Sequence, residues 1–111
     1  MNQLSSDLLR GTLDMLVLQV LSEGPSHGYA IGQRLGELTD GDLSVEQGSL
    51  YPALYRLEKA SLLKSSWSRN PESNRRARVY RLTAAGKRRL NREVDGWMAF
   101  VHTISRVVPS K

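Results

Sequence analysis

The sequence predicts a mainly α-helical fold with one small β-hairpin, and three observations lead to this prediction. Apolar side chains recur at helical spacing in four segments. Between the third and fourth segments the apolar period changes from about 3.6 to about 2, as it does in strands. Clusters of Gly, Pro, Asn and Asp separate the segments. A chain of 111 residues is expected to form one domain, or a small domain with an appendage.

The first helix is predicted over residues 7–22. Nine of the fourteen residues from Leu8 to Leu21 are Leu, Met or Val, and they are spread around the helix. A helix that is apolar on most sides must be covered on most sides. One small domain rarely supplies that much cover, so a second subunit is expected. The stretch is too short and too polar for a membrane span, and no basic region precedes it, so a cytoplasmic protein is expected.

The second and third helices are predicted from start and stop signals. Gly24-Pro25 ends the first helix, and Ser26 is a candidate N-cap for a helix from about His27 to Leu38. Its expected inward side chains are Tyr29, Ile31, Leu35 and Leu38. The turn "TDGDLS" precedes a third helix that ends near Ala60. Both Ser44, at capping-box spacing from Gln47, and Glu46 are candidate caps for it.

The hairpin and the last helix follow. Residues 62–69 and 75–82 alternate loosely between apolar and polar, and "NPESN" at 70–74 is a turn cluster. Thr83 is expected to cap a last helix that stops before Pro109. Three helices, a hairpin and a long helix form the winged helix-turn-helix arrangement. We therefore divide the chain into a winged helix-turn-helix domain over 1–82 and a C-terminal helix over 83–111.

Positive charge is concentrated in one third of the chain. Residues 1–55 carry two basic and seven acidic side chains, a balance of −5, whereas residues 56–92 carry twelve basic and two acidic ones, a balance of +10. This block covers the end of the third helix, the hairpin and the start of the last helix. A block of one sign favours binding to a polyanion over the alternative, a face that is charged only for solubility.

The third helix has one apolar and one polar face. Leu50, Leu54 and Leu57 fall at the spacing of an inward face. The opposite face and its flanks hold no large aliphatic residue; they comprise Gly48, Ser49, Tyr51, Pro52, Tyr55, Arg56 and Lys59. Such side chains can donate to phosphates and base edges. Pro52 weakens the helix, and we interpret it as placed where the helix must fit a target surface; a tolerated kink without a role is the alternative.

Three stretches resemble the PadR-like transcriptional regulators: "GTLDMLVLQVLSEGPSHGYAI" (11–31), "GSLYPALYRLEK" (48–59) and "RRARVYRLTAAGKRRL" (75–90). The resemblance implies a homodimeric winged-helix repressor that binds an inverted-repeat operator in double-stranded DNA. It implies that the third helix enters the major groove and that the wing lies along the backbone or minor groove. By position, the recognition helix is matched by Gln47, Ser49, Tyr51 and Tyr55, to which we add Arg56 from its flank. The wing is matched by Arg69, Arg75, Arg76 and Arg78.

The sequence departs from the family pattern at three places. Glu46-Gln47 stand where Ser-Pro often precedes the "GSLYP" run, and Glu46 must either read a cytosine amino group or point away from phosphate. Ser61 replaces a glycine usual after the third helix, which leaves the C-cap open. The wing holds no glycine, so a stiffer or differently shaped tip is expected.

The last helix carries a dimerisation pattern. Six apolar residues spaced 4, 3, 4, 3, 4 form an a/d heptad seam, namely Leu90, Val94, Trp97, Val101, Ile104 and Val108. We expect this helix to lie on the first helix of a second subunit; the competing hypothesis is that it folds back onto its own domain. The resemblance also implies a small apolar or phenolic effector near the dimer interface. Trp97, Met98 and Phe100 are candidates to line its site, although aromatic residues and Met at helical spacing favour simple packing.

Enzymatic function is not indicated. The two histidines, His27 and His102, lie in separate segments and belong to no metal-binding or nucleophile–base motif, and no glycine-rich phosphate loop follows a strand. The absence of cysteine excludes disulfides and zinc–thiolate sites. No cofactor or metal is therefore expected. The alternative to a DNA-binding repressor is a winged-helix interaction module that binds protein or RNA.

Overall fold

The computed structural model describes residues 6–109, with side chains from Thr12 onward. The elements are α1 (Ser6–Leu21), β1 (Ser26–His27), α2 (Gly28–Leu38), α3 (Gln47–Lys59), β2 (Leu63–Arg69), β3 (Arg76–Leu82) and α4 (Ala84–Val107). The predicted mainly α fold with a hairpin and a long last helix is confirmed. The first residues of the predicted domain 1–82, at 1–5, and the last residues of the predicted helix segment 83–111, at 110–111, lie outside the described residues. The side chains of Leu8 and Leu9, which belong to the apolar pattern of the first helix, lie outside them as well.

The sheet has three strands rather than the predicted two. Its order is β1-β3-β2, with both pairs antiparallel. Ser26 pairs with Tyr80 and His27 with Val79, so the segment before α2 adds a short edge strand to the hairpin. Ser26 is therefore not the N-cap of α2; that position belongs to His27, which makes no side-chain cap hydrogen bond. Two extended residues carry no visible period, which is why the sequence did not predict this strand.

The core lies between the three short helices, the base of the sheet and the start of α4. Sixteen buried apolar residues form it, and the largest fully buried side chains are Val17, Leu18, Ile31, Leu50, Leu54 and Leu63. Ile31 and Leu35 are buried as predicted, and Tyr29 is half-buried. Leu38 was predicted to face inward, but it is 52% exposed because it lies at the very end of α2, beyond the part covered by α3.

Glycines on α2 allow the next segment to approach closely. Gly28, Gly32 and Gly36 are four residues apart and therefore share one face of the helix. A Cβ on Gly28 would come within 2.8 Å of the Tyr51 ring, whereas at Gly32 and Gly36 the nearest atoms are backbone carbonyls of the α2–α3 connection. The α2 face thus sets how deeply the start of α3 is seated against the domain.

Of the two candidate N-caps of α3, Glu46 is confirmed by its position and Ser44 is wrong. Glu46 is the N-cap residue with extended backbone, but no side-chain cap hydrogen bond forms, so the proposed capping box with Ser44 is absent. The other end is well defined. Ser61 has φ of 64°, and its N–H and that of Leu62 donate to the carbonyls of Glu58 (2.9 Å) and Leu57 (3.0 Å). This is a Schellman C-cap in which Ser61 takes the left-handed place usually given to glycine.

Thr83 and Gly86 join α4 to the end of α3. The Thr83 hydroxyl accepts from the Gly86 N–H (2.9 Å), which confirms the predicted N-cap, and lies within donating distance of the Ser61 and Leu62 carbonyls (2.8 and 3.0 Å). Gly86 is packed so tightly that a Cβ there would overlap the carbonyl oxygen of Leu62. The first turn of α4 can therefore pack against the turn between α3 and β2 only because residue 86 has no side chain.

Only the first turns of α4 belong to the core. Leu90 is buried and Val94 packs against the core, but every residue from Asp95 to Pro109 is exposed. The Cα radius of gyration is 15.1 Å, against about 13 Å for a compact chain of this length. The distal half of α4 thus projects from the domain. Within residues 6–109, no helix is long and apolar enough to cross a membrane.

Gly86→Ala should strongly destabilise the fold. The added methyl group meets the Leu62 backbone, which cannot move without disturbing both the α3 C-cap and β2. We expect a loss at or above the upper end of the roughly 1–3 kcal/mol typical of over-packing. Thermal or urea unfolding followed by circular dichroism measures it.

The matched control is Gly48→Ala on α3, where a Cβ meets no atom within 4 Å. Because alanine favours helix, this variant should be neutral or gain up to about 1 kcal/mol. Equal stability of the two variants would contradict the close packing at Gly86.

Candidate nucleic-acid interface

The helix α3, predicted to be the recognition helix, has one buried and one exposed face. Leu50, Ala53, Leu54 and Leu57 are buried, which places the opposite side in solvent. The exposed residues are those predicted for nucleic-acid contact, namely Gln47, Gly48, Ser49, Tyr51, Pro52, Tyr55, Arg56 and Lys59. Glu46 is also exposed, at the helix N-terminus, where the helix dipole favours a carboxylate.

Pro52 lies inside α3 on this exposed side, and the helix continues through it to Lys59. Proline has no N–H, so the Gly48 carbonyl, four residues earlier, lacks its usual intrahelical donor. Gly48 itself is exposed and has no side chain. At Gly48 and Pro52 the helix thus presents no long side chain, and one carbonyl has no intrahelical donor, at the place where a target surface would approach.

The two tyrosines of α3 differ in their surroundings. The Tyr51 ring lies against Gly28 of α2 and is 40% exposed, so this side chain helps to seat the helix as well as to form its surface. Tyr55 is 65% exposed, and the Lys59 Nζ lies 5.7 Å from its ring centroid. Tyr55 is thus the more accessible of the two phenols.

Arg56 contacts α1 rather than solvent alone. Its Nη2 lies 2.9 Å from the Asp14 Oδ1, and both side chains remain partly exposed. An ion pair of this exposure contributes only about 0–1 kcal/mol. Asp14 of α1 therefore orients the Arg56 side chain in the free protein. The free energy of this ion pair is small enough that Arg56 can leave Asp14 for a phosphate.

The hairpin presents two faces, which the strand register defines. Alternate pairs Leu63–Leu82, Ser65–Tyr80, Trp67–Arg78 and Arg69–Arg76 share one face. This face is buried against the core at its base and exposed toward the tip. We name its exposed part the inner wing face, comprising Ser65, Trp67, Arg69, Arg76 and Arg78. The Ser65 hydroxyl donates to the Glu58 Oε2 of α3 (2.6 Å), so the inner wing face adjoins α3.

Contacts on the inner wing face connect α3 to two arginines. Arg78 donates from its Nη1 to the Ser65 hydroxyl and lies 4.0 Å from the Glu58 carboxylate. The guanidinium carbons of Arg76 and Arg78 each lie 4.8 Å from the ring centroid of Trp67, which is 55% exposed. Trp67 and Glu58 were missed from the sequence, because their part in this surface depends on the strand register.

Glu58 also affects the phenol beneath the wing. Burial raises the pKa of Tyr80 above its ordinary value, and the Glu58 carboxylate raises it further. Tyr80 therefore stays neutral throughout the physiological range. Next to the base of the inner wing face, α3 thus places one carboxylate, whereas the charged side chains of the face itself are all arginines.

The wing tip closes without glycine. Asn74 takes the left-handed conformation, with φ of 59°, and the Asn70 side chain accepts from the N–H groups of Glu72 (2.8 Å) and Ser73 (3.4 Å). Arg69 donates to the Asn74 carbonyl (3.0 Å), so this predicted contact residue also fastens the tip. Arg75, at the tip, is exposed. Two asparagines thus form the tight turn at the wing tip, where a glycine would otherwise take the left-handed conformation.

The predicted heptad seam is divided between two environments. Leu90 is buried in the chain's own core and the half-buried Val94 packs against it, whereas Trp97, Val101, Ile104 and Val108 are exposed. Phe100 lies beside the seam, with its ring centroid 6.1 Å from that of Trp97. A shallow groove between α1 and α4 is lined by Thr12, Met15, Glu93, Gly96, Trp97 and Phe100. Of the three candidate effector-lining residues, Met98 is therefore not part of this groove.

Comparisons with known proteins agree on one family. The sequence model described as "Transcriptional regulator PadR-like family" matches residues 17–92. A transcriptional regulator from Clostridium thermocellum superposes with a TM-score of 0.84 at 31% identity, covering 93% of this chain and 99% of that one. A PadR family transcriptional regulator from Eggerthella lenta gives 0.79 at 33% identity, covering 95% and 88%. "Uncharacterized protein X" of Lysinibacillus sphaericus is 30% identical over 92 residues, covering 83% of this chain and 84% of that protein.

Proposed function

Because the chain belongs to the PadR-like family of transcriptional regulators, we propose that it is a homodimeric repressor that binds an inverted-repeat operator in double-stranded DNA. The observation that carries this proposal is that two surfaces adjoin. The exposed face of α3 and the arginine-bearing inner wing face are joined through Glu58 and Ser65. Together they offer base-reading and phosphate-binding groups side by side, as groove recognition requires.

The recognition helix reads bases mainly from its first turn. Gln47 and Ser49 are exposed there, next to Gly48, which allows close approach. Amide and hydroxyl groups at such positions can pair with base edges in the major groove. Tyr51 and Tyr55 lie further along the same side, where phenols donate to phosphates. Glu46, exposed at the helix start, accepts from a cytosine amino group in this arrangement.

The wing supplies charge rather than sequence reading. Arg75, Arg76 and Arg78 neutralise phosphates in this proposal, with Arg69 fixing the tip, and Arg56 exchanges Asp14 for a phosphate on binding. Contacts of this kind hold the protein in register on the duplex and carry no sequence information. They also make affinity strongly dependent on salt.

The dimer forms through the distal half of α4. Trp97, Val101, Ile104 and Val108 form the remaining seam, with Phe100 and Val107 beside it, and all six are exposed. Burying each contributes at most roughly 1.5–3 kcal/mol before ordering costs. The natural partner surface is α1 of the second subunit. We assign Trp97 and Phe100 to this interface rather than to an effector site.

The proposed boundary between the DNA-binding and dimerisation segments moves accordingly. The sequence places it between residues 82 and 83, where β3 gives way to α4. The first turns of α4 pack on the winged domain through Gly86, Leu90 and Val94. Dimerisation therefore begins near Asp95, where continuous exposure starts.

A gel shift with the DNA upstream of the protein's own gene tests this function. Wild type should bind this fragment at least about 1,000-fold more tightly than competitor DNA. Ser49→Ala and Tyr51→Phe should each weaken specific binding by about 1–3 kcal/mol, since each removes one contact group.

Both variants keep the packing of α3, because Ser49 is exposed and phenylalanine retains the ring against Gly28. Circular dichroism and dimer content should therefore match wild type. Equal affinity of wild type for all DNA would instead support the interaction-module alternative, and unchanged affinity of both variants would place the reading face elsewhere.

Arg76→Ala should change the salt dependence of binding. If Arg76 neutralises one phosphate, its loss should reduce the slope of log affinity against log salt by about one unit. Operator and random DNA should be affected alike. A salt titration of both complexes measures the slopes; unchanged slopes would remove Arg76 from the interface.

Trp97→Asp combined with Val101→Asp should disrupt the dimer, because it places two charges in the exposed seam. Sedimentation equilibrium should give a dimer for wild type and a monomer or an insoluble chain for this variant, with operator binding lost.

The control is Ala99→Asp combined with His102→Asp, which adds the same number of carboxylates on the side of α4 away from the seam, where both residues are exposed. It should remain dimeric. A wild-type monomer at micromolar concentration would refute both the dimer and the repressor mechanism.

A further inference from the structure

Trp67 is a large aromatic side chain that the core does not use. It lies on the inner wing face, in register with Arg78, and is 55% exposed. The guanidinium carbons of Arg76 and Arg78 both lie 4.8 Å from its ring centroid, within the range of cation–π contacts. A single indole thus holds two arginines of the wing.

Stacking leaves an arginine free to bind an anion. A guanidinium that lies on an aromatic ring uses its flat face, and its N–H donors lie in the plane, where they can bind an anion. In Arg78 the Nη1 donor is bound to the Ser65 hydroxyl, and the other N–H groups of that guanidinium are the ones that would meet a phosphate. An unrestrained arginine must lose rotamer freedom when it binds a phosphate, and a stacked one has already lost part of it. The indole therefore prepares the two arginines for binding without adding a charge.

Arg78, one of the two stacked arginines, is also connected to the recognition helix by hydrogen bonds. Arg78 donates to the Ser65 hydroxyl, which in turn donates to the Glu58 carboxylate of α3. Along the strands, Arg69 and Arg76 are directly paired, and like charges in such a pair repel each other. The inner wing face thus holds several positive groups in fixed places beside α3, an arrangement that a polyanion relieves.

We propose that Trp67 is a positioning residue for DNA binding, which holds Arg76 and Arg78 at a set distance and direction from the recognition helix for contact with phosphates. This inference rests on the proposed function. Because the indole carries no charge, its role is separable from that of the arginines. Loss of the indole should weaken binding while the number of neutralised phosphates stays the same.

The test compares Trp67→Leu, Trp67→Tyr and the outer-face control Ser66→Ala in salt titrations on operator and random DNA. We expect Trp67→Leu to weaken both complexes about three- to tenfold at every salt concentration, with the salt slope unchanged. Trp67→Tyr keeps a ring for stacking and should recover most of the affinity, and Ser66→Ala should match wild type. Circular dichroism establishes that each variant is folded.

The decisive arm repeats Trp67→Leu in a chain that also carries Arg76→Ala and Arg78→Ala. The positioning role requires no further loss in that background, because the residues to be positioned are gone. A loss of the same size would overturn it and show that the indole contacts DNA itself. Wild-type affinity of Trp67→Leu, or equal weakening by Trp67→Tyr, would also overturn it. Each of these results leaves the proposed function standing, whereas a wild-type chain that binds no DNA refutes both.

Discussion

The backbone of Leu62 is the point on which the arrangement of the molecule depends. Its N–H closes the C-cap of α3 on Leu57, and its carbonyl accepts from the Thr83 N–H and lies against Gly86. The next residue starts β2, the first strand of the wing. The helix α3, the wing and the long helix α4 therefore meet at one residue. Hydrogen bonds and close packing at Leu62 act together with the side chains of the shared core to set the relative directions of these elements.

Features that weaken the free protein are concentrated on the proposed DNA surface. Pro52 removes a hydrogen bond from α3, Arg69 and Arg76 pair like charges across the hairpin, and Trp67 exposes a large apolar ring. Each departs from the usual agreement between sequence and structure, and such departures are typical of functional surfaces. A duplex offers what each lacks, since phosphates neutralise the arginines and a groove receives the flat side of α3. In the proposed complex these features would gain the partners that they lack in the free protein.

The sequence predicted those features that rest on local chemistry. Helical spacing gave the inward leucines of α3, and the hydroxyl of Thr83 gave the start of α4, because both effects act within a few residues. It did not predict β1, whose two residues pair with a strand more than fifty positions away. It missed Trp67 for the same reason, since only the register brings that ring beside Arg78. Ser61 and Asn74 were equally hidden, because a left-handed conformation at a non-glycine residue is imposed by the surrounding turn.

The heptad pattern of α4 shows how a correct pattern can leave its partner undetermined. Six positions repeat without a break, yet Leu90 and Val94 lie in the chain's own core while the distal four face solvent. A heptad pattern predicts that an apolar stripe packs against another surface, but it does not identify that surface. One continuous helix therefore runs from the core into the proposed dimer interface, with no loop between them. In a dimer built on this seam, the separation of the two recognition helices is set by the direction of α4. That direction is fixed at Gly86 and Leu62, beside the C-cap of α3. In the proposed dimer, the residue that ends α3 therefore also sets the spacing between the operator half-sites.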